Sequence, residues 1–145
     1  MRDRLPFQNE PKFELRSKDS NQEMLFAYLH GRNLLSAFHG AKIGVVVCDH
    51  RLRYKALNQS LAEMHNLSIA AHLNRPMSRV LGPLAETVVP LWESVLATGR
   101  PLTNLRICGR PAKRSSLGCW NQSIFPLPDD RGRIAHAGCF ATEVP

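Results

Sequence analysis

Cysteine is scarce in this chain, with four residues at positions 48, 108, 119 and 139. No CxxC pair occurs, and no Cys/His spacing matches a zinc site. The four thiols read as reduced, mostly buried small hydrophobes, three of them inside apolar strand-like runs. Long hydrophobic runs are missing too: stretches such as Ile43 to Cys48 are far too short to span a bilayer. The start, Met-Arg-Asp-Arg, carries no signal-peptide apolar region, so a cytoplasmic location without membrane attachment is expected. GxSxG, HExxH, a phosphate-binding Gly-rich loop and a dinucleotide fingerprint are all absent. The acidic residues are scattered, and spacing sets up no carboxylate pair. The adjacent Asp49 and His50 sit at a turn and read as surface. The chain is therefore expected not to be an enzyme. The alternative in that class, a small lyase or isomerase on a cone-shaped α+β fold, would need mutually placed His and Asp.

One sign of charge is also missing over a long stretch. No acidic residue lies between Glu93 and Asp129, whereas Arg100, Arg106, Arg110, Lys113 and Arg114 all fall there, within a formal net charge of +7. Such a patch favours anionic partners, nucleic acid included, or is simply a solvated basic loop. No aromatic interleaves with these charges and no recognition-helix motif is present, so only nonspecific nucleic-acid affinity is expected.

What is present is globular: 43% hydrophobic and 21% charged residues, in a length of 145 that suits one domain. Residues 1–20 mix charges with Pro6 and Pro11 and read as a flexible arm. Residues 21–40 carry Met24, Leu25, Tyr28, Leu29, Leu34, Leu35 and Phe38 at helical spacing, which predicts an amphipathic helix ending at Gly40. The run Ile43–Cys48, the turn at Asp49-His50-Arg51 and the alternating Leu52–Leu57 predict a β-hairpin. Asn58 is placed to cap a short helix over 59–65, and Asp49 and Asn58 are both expected to be structural. Short helical turns follow, then a helix over about Pro90 to Thr98 with Val88, Leu91, Trp92 and Val95 on its core face. Strands are predicted over Pro101–Cys108, Leu117–Phe125 and Arg133–Thr142. Helix, two strands, helices and three strands make an α+β layout, with a pocket between a five-stranded antiparallel sheet and the helices on one face.

Over about residues 34–145 this sequence resembles the PAS family of sensor domains. An apolar strand ends in Asp49, a second ends in Asn58 before a short helix, and Ala97-Thr98-Gly99-Arg100-Pro101 resembles the turn from the long helix into the third strand. Trp120 through Pro126, followed by Asp130-Arg131-Gly132-Arg133-Ile134, is similar to the closing hairpin. The resemblance implies a sheet order of 2-1-5-4-3 over a domain at 41–145, signal input, a homodimer and an output domain or partner protein. The helix at 22–38 is the expected dimer contact. The chain reads either as a piece of a larger regulator or as a standalone partner-binding module.

The resemblance also frames the cofactor question. Flavin-adduct photosensing needs a Cys in the helical segment after the first hairpin, and residues 59–100 have none. Haem relatives use a His in or near the long helix; residues 73–121 have none, and His65 and His72 lie earlier. Flavin-adduct chemistry is thus excluded and haem is not expected. A non-covalent flavin, another small-molecule ligand or no ligand stay open.

On the fourth strand, Cys119, Asn121, Ser123 and Phe125 share one face, and Trp120, Gln122 and Ile124 the other. Asn and Ser in mid-strand suit a pocket wall if theirs is the inner face, and a solvent or dimer face if it is not. The pocket candidates are Asn121, Ser123, Cys119, His136, Trp92 and Met64. His136 between two alanines reads as a satisfied strand histidine ahead of a pH sensor, and Trp92 as core ahead of a ligand stacker. Tyr54 and Lys55 are expected to decorate the second strand.

Overall fold

The computed structural model describes residues 38–145. The predicted arm at 1–20 and nearly all of the predicted helix at 21–40 lie outside the described residues, as does its use as a dimer contact. The element order is β1 (Ile43–Asp49), β2 (Tyr54–Leu57), α1 (Gln59–His65), α2 (Ile69–His72), α3 (Met77–Leu81), a 3₁₀ turn (Gly82–Leu84), α4 (Ala85–Thr98), β3 (Leu102–Gly109), β4 (Gly118–Pro128) and β5 (Ile134–Val144). The strands form one antiparallel sheet in the order β2-β1-β5-β4-β3, the order expected.

Two Asx turns close the hairpins. Asp49 Oδ1 accepts from the backbone N–H of Arg51 and Arg53, and Asp129 Oδ1 does the same for Arg131 and Arg133. The closing turn is thus organised by Asp129, one residue before the Asp130 quoted for the resemblance. Asn58 links sheet and helix. Its Oδ1 accepts from Val45 N (3.0 Å) and Leu61 N (3.1 Å), and its Nδ2 donates to Ile43 O (2.8 Å). One fully buried side chain therefore caps α1 and pins it to β1. Gly44 lets the two approach, since a Cβ there would meet Leu61 Cα at 3.2 Å.

Helix α4 begins at Ala85, more than a turn before the expected Pro90, because the sheet holds its apolar face whether or not Pro90 supplies an N–H. Gly99, left-handed at φ 70°, ends it as expected. With α3 and the 3₁₀ turn it forms a stretch, Met77–Thr98, long and apolar enough to cross a bilayer, which the short apolar runs in the sequence did not announce. Here Met77, Val80, Leu81, Ala85, Val88, Trp92 and Val95, one face of the stretch, are buried against the core.

The inner sheet face carries Val46, Cys48, Tyr54, Leu57, Ile107, Trp120, Ile124, Ala137, Cys139 and Ala141 into the main core beneath the helices. Tyr54 is 2% exposed, not a surface decoration, because Cys48 opposite it already faces inward. On the outer face a second cluster joins Val45, Val47 and Ala56 with Phe38, Ile43 and Leu127.

Candidate functional site

Between the inner sheet face and the helices lies a cavity of about 30 Å³, room for roughly two waters. Its walls include Tyr54, Met64, Met77, Trp92 and Trp120, with Gln122 and His65 as polar members. The β3–β4 loop closes one end, inserting the fully buried Pro111.

Arg114 holds this loop down. Its guanidinium pairs with both Glu143 oxygens (3.1 and 2.6 Å), donates to Met64 O (3.1 Å) and lies 5.2 Å from the Trp120 ring centre. Hydrogen bonding from Arg114 pulls the Glu143 carboxyl below its ordinary range and raises Arg114 in turn. Two further bonds assist: Asn66 Nδ2 donates to Lys113 O, and Ala112 N to Val80 O, both at 3.1 Å. The basic loop is therefore not a uniformly free patch, since its Arg114 is committed inside the fold. Trp120 Nε1 is buried without a hydrogen-bond partner among the described residues; the indole N–H helps keep Glu143 ionised without reaching bonding geometry.

The second polar feature is a histidine pair. His65 Nδ1 lies 3.0 Å from His72 Nε2, and His72 Nδ1 lies 2.7 Å from Ser68 O. The rings are stacked, and Tyr54 meets His72 edge-on. A carbonyl oxygen only accepts, so His72 Nδ1 carries the proton and, in the neutral ring, His72 Nε2 is bare. His65 Nδ1 must then donate to it, which leaves His65 Nε2 as a bare acceptor. Burial holds both rings neutral: it pushes His65 down to about 3, helped by His72 and the Arg114 cation, and lowers His72 against the raising effect of Ser68. Burial also pushes the Cys139 thiol up to about 12 and Cys48 well above its ordinary value.

Of the residues singled out in the sequence, Met64 and Trp92 line this cavity together. Asn121 and Ser123 do not. They lie on the outer face, in a shallow groove with Phe38, Ile43, Asn104, Phe140 and Thr142. His136 stands opposite Asp49 at the start of β5, 9% exposed, and is no part of the cavity wall. Cys119 is bonded to Cys108 directly across the β3–β4 ladder, which corrects the reading of four reduced thiols. Cys48 and Cys139 are the free, buried pair. His65, Gln122 and Arg114 were visible in the sequence but were not among the pocket candidates. The alternation on β4 separated Gln122 from Asn121 correctly, and only the choice of face was lacking.

Comparison with known proteins places this geometry. A family model described as the PAS fold matches residues 38–144. The VqmA dimer of Vibrio cholerae, a LuxR-type receptor solved without its target DNA, superposes with a TM-score of 0.67 at 14% identity, over 79% of this chain and 52% of its own. This chain thus spans about half the length of VqmA. A PAS domain from Colwellia psychrerythraea gives a TM-score of 0.64 at 14% identity, covering 78% of this chain and 95% of that one. A sensory-box histidine kinase structure from Vibrio cholerae gives 0.63 at 12%, covering 78% and 90%. No curated protein sequence matches the chain. The chain belongs to the PAS-fold family.

Proposed function

We propose that this chain is the signal-input part of a regulator, a non-catalytic domain that binds a small molecule between sheet and helices and passes the event to a partner or output domain. The observation that carries this reading is the cavity itself. Apolar walls that include Tyr54, Trp92 and Trp120 surround the polar groups of His65 and Gln122, a composition that suits a small-molecule site. Binding rather than catalysis is supported by the protonation states: the histidines are held neutral and the free thiols protonated, so none of them is poised near neutral pH. Similarity to a LuxR-type receptor and a histidine kinase structure supports a regulatory setting.

The partner contact falls on the outer face. Phe140 is 42% exposed there, and Phe125 and Phe38 lie 5.0 and 5.9 Å from it between ring centres. Phe38 itself packs on this patch, and we propose that the homodimer forms here. Native mass spectrometry with an absorbance spectrum, on the full chain as purified from cells, tests the reading. A dimer carrying a small bound mass is expected. A monomer that takes up nothing from a cell extract would overturn it.

A further inference from the structure

The disulfide Cys108–Cys119 lies away from the cavity. The register of the β3–β4 ladder puts it on the outer face, because Ile107 and Trp120, one residue along on each strand, face the core. β3 is the last strand of the sheet, and its far side pairs with no strand among the described residues. Cys108 is accordingly exposed, while Cys119 is half-buried.

The bond sits where the hairpin is weakest. A single rung separates it from the loop, Gly109 opposite Gly118, and that rung brings no side-chain contact across the strands. Neither position has room for more, since a Cβ at Gly109 would run into Leu84 and one at Gly118 into the Trp120 ring. The covalent bond therefore closes the base of the loop that carries Pro111 and Arg114.

The surroundings suit exchange with a thiol from outside. Cys108 Sγ is open to attack from the sheet edge, with Cys119 Sγ as the leaving group. Arg106 shares the outer face two residues before Cys108, and Arg110 borders an open groove with it. No acidic residue lies between Glu93 and Asp129, and Glu143, opposite Trp120 on β5, is held by Arg114. Exposed cations of this kind stabilise a leaving thiolate and draw in an anionic thiol. The other two cysteines do not serve, since Cys48 and Cys139 are buried and burial keeps both protonated.

We propose that Cys108–Cys119 is a site of reversible exchange with a small anionic thiol, and that its reduction releases the β3–β4 loop. A thiolate attacks Cys108 Sγ and forms a mixed disulfide as the Cys108–Cys119 bond breaks. The electron pair leaves on Cys119 Sγ, which takes a proton from water. A second thiolate then displaces Cys108 Sγ, which is protonated in turn. Two outside thiols are oxidised to one disulfide, and the protein gains two cysteine thiols.

The test uses the full chain, oxidised with glutathione disulfide and then treated with reduced glutathione, an anion, or cysteamine, a cation. Each rate is divided by that thiol's rate on hydroxyethyl disulfide, which cancels intrinsic nucleophilicity. Alkylation and mass spectrometry count the thiols, and amide exchange is followed over residues 109–118. Glutathione is expected to open the bond in the folded protein about threefold or more faster than cysteamine, an advantage lost in about 1 M salt. Arg106→Gln should reduce that advantage. On reduction, amide exchange in the loop should rise by about tenfold while Val45 and Leu61 keep their protection. Cys108→Ser with Cys119→Ser should exchange fast in either buffer, and the reduced wild type gives the same comparison without substitution. The proposal is overturned if the bond does not form under glutathione disulfide, if it opens only as fast as the whole domain unfolds, or if its opening leaves loop exchange unchanged. Equal corrected rates for the two thiols overturn the choice of an anionic one.

Discussion

Replacing Asn58 by alanine probes the joint on which the cavity's geometry depends. The side chain is fully buried and makes three hydrogen bonds, two to N–H groups of β1 and α1 and one to the carbonyl of Ile43. Losing only a helix cap costs about 1 kcal/mol. Here alanine also strands Val45 N and Ile43 O, at about 1–3 kcal/mol for each buried group left unpaired. Ile43 is only half-buried, so water recovers part of its share. The expected total is about 3–4 kcal/mol, a large fraction of the roughly 5–15 kcal/mol that holds a domain together. For a fold of this size that lowers Tm by roughly 15–20 °C. Urea unfolding followed by tryptophan fluorescence measures it, with the m-value checked for constancy. Amide exchange should show Val45 and Leu61 losing protection together. A loss of about 1 kcal/mol with Val45 still protected would mean that Asn58 merely caps a helix and does not tie it to the sheet.

Arg114→Ala and Glu143→Gln should be coupled in a double-mutant cycle by about 0.5–1 kcal/mol. The pair is partly exposed at 17% and 38%, so solvent screening keeps the coupling small. Because the Glu143 carboxyl is lowered in the fold, its contribution is present above the unfolded carboxylate range and is lost as pH falls through the folded value. The histidine pair acts in the same direction at higher pH. Both rings are lowered below 6.5 in the fold, so the unfolded chain binds more protons and stability falls as pH drops from about 7 toward 4. Urea midpoints across that range should fall less steeply in His65→Phe than in the wild type, and equal slopes would refute the assignment. Alkylation of the unfolded, unreduced protein should label two thiols, Cys48 and Cys139, and four after reduction. Four labels without reductant would show Cys108 and Cys119 to be unbonded, the state favoured by a reducing compartment.

The order of elements was legible because local chemistry marks it, and the sheet order was legible only through the resemblance to the PAS family. Asp49 makes an Asx turn from its own side chain, Asn58 caps the helix beside it, and Gly99 ends α4. The orientation of β4 was not legible. Trp120 and Ile124 on one face are balanced by Cys119 and Phe125 on the other, so alternation fixes the two sets without ranking them. What ranks them is long-range, namely which face the helices cover. The disulfide depended on register. The irregularity between Leu102 and Leu105, with Asn104 at φ 57°, sets which residues of β3 oppose β4 and so brings Cys108 opposite Cys119. The histidine pair joins the last residues of two separate helices across a left-handed Asn66, a contact set by the turn between them and not by the period of either helix.

The alternation that hid the cavity also joins it to the outer face. Gln122 points toward the ligand space, while its neighbours Asn121 and Ser123 line the groove beside Phe38 and Phe140. Across the ladder Gln122 pairs with Ala141 and Ser123 with Phe140, so on β5 too a cavity residue is followed along the chain by a groove residue. If the proposed ligand moves the Gln122 carboxamide off Cys139, it acts on backbone shared with the groove, one sheet thickness away. On the proposed reading the coupling is reciprocal: whatever covers the outer face must change ligand affinity by the same factor by which ligand changes its own binding. Phe140→Glu, which puts a charge into the exposed patch, should therefore weaken self-association and shift the affinity for the small molecule co-purified with the chain together. A change in association that leaves that affinity untouched would mean that the two faces of the sheet work independently.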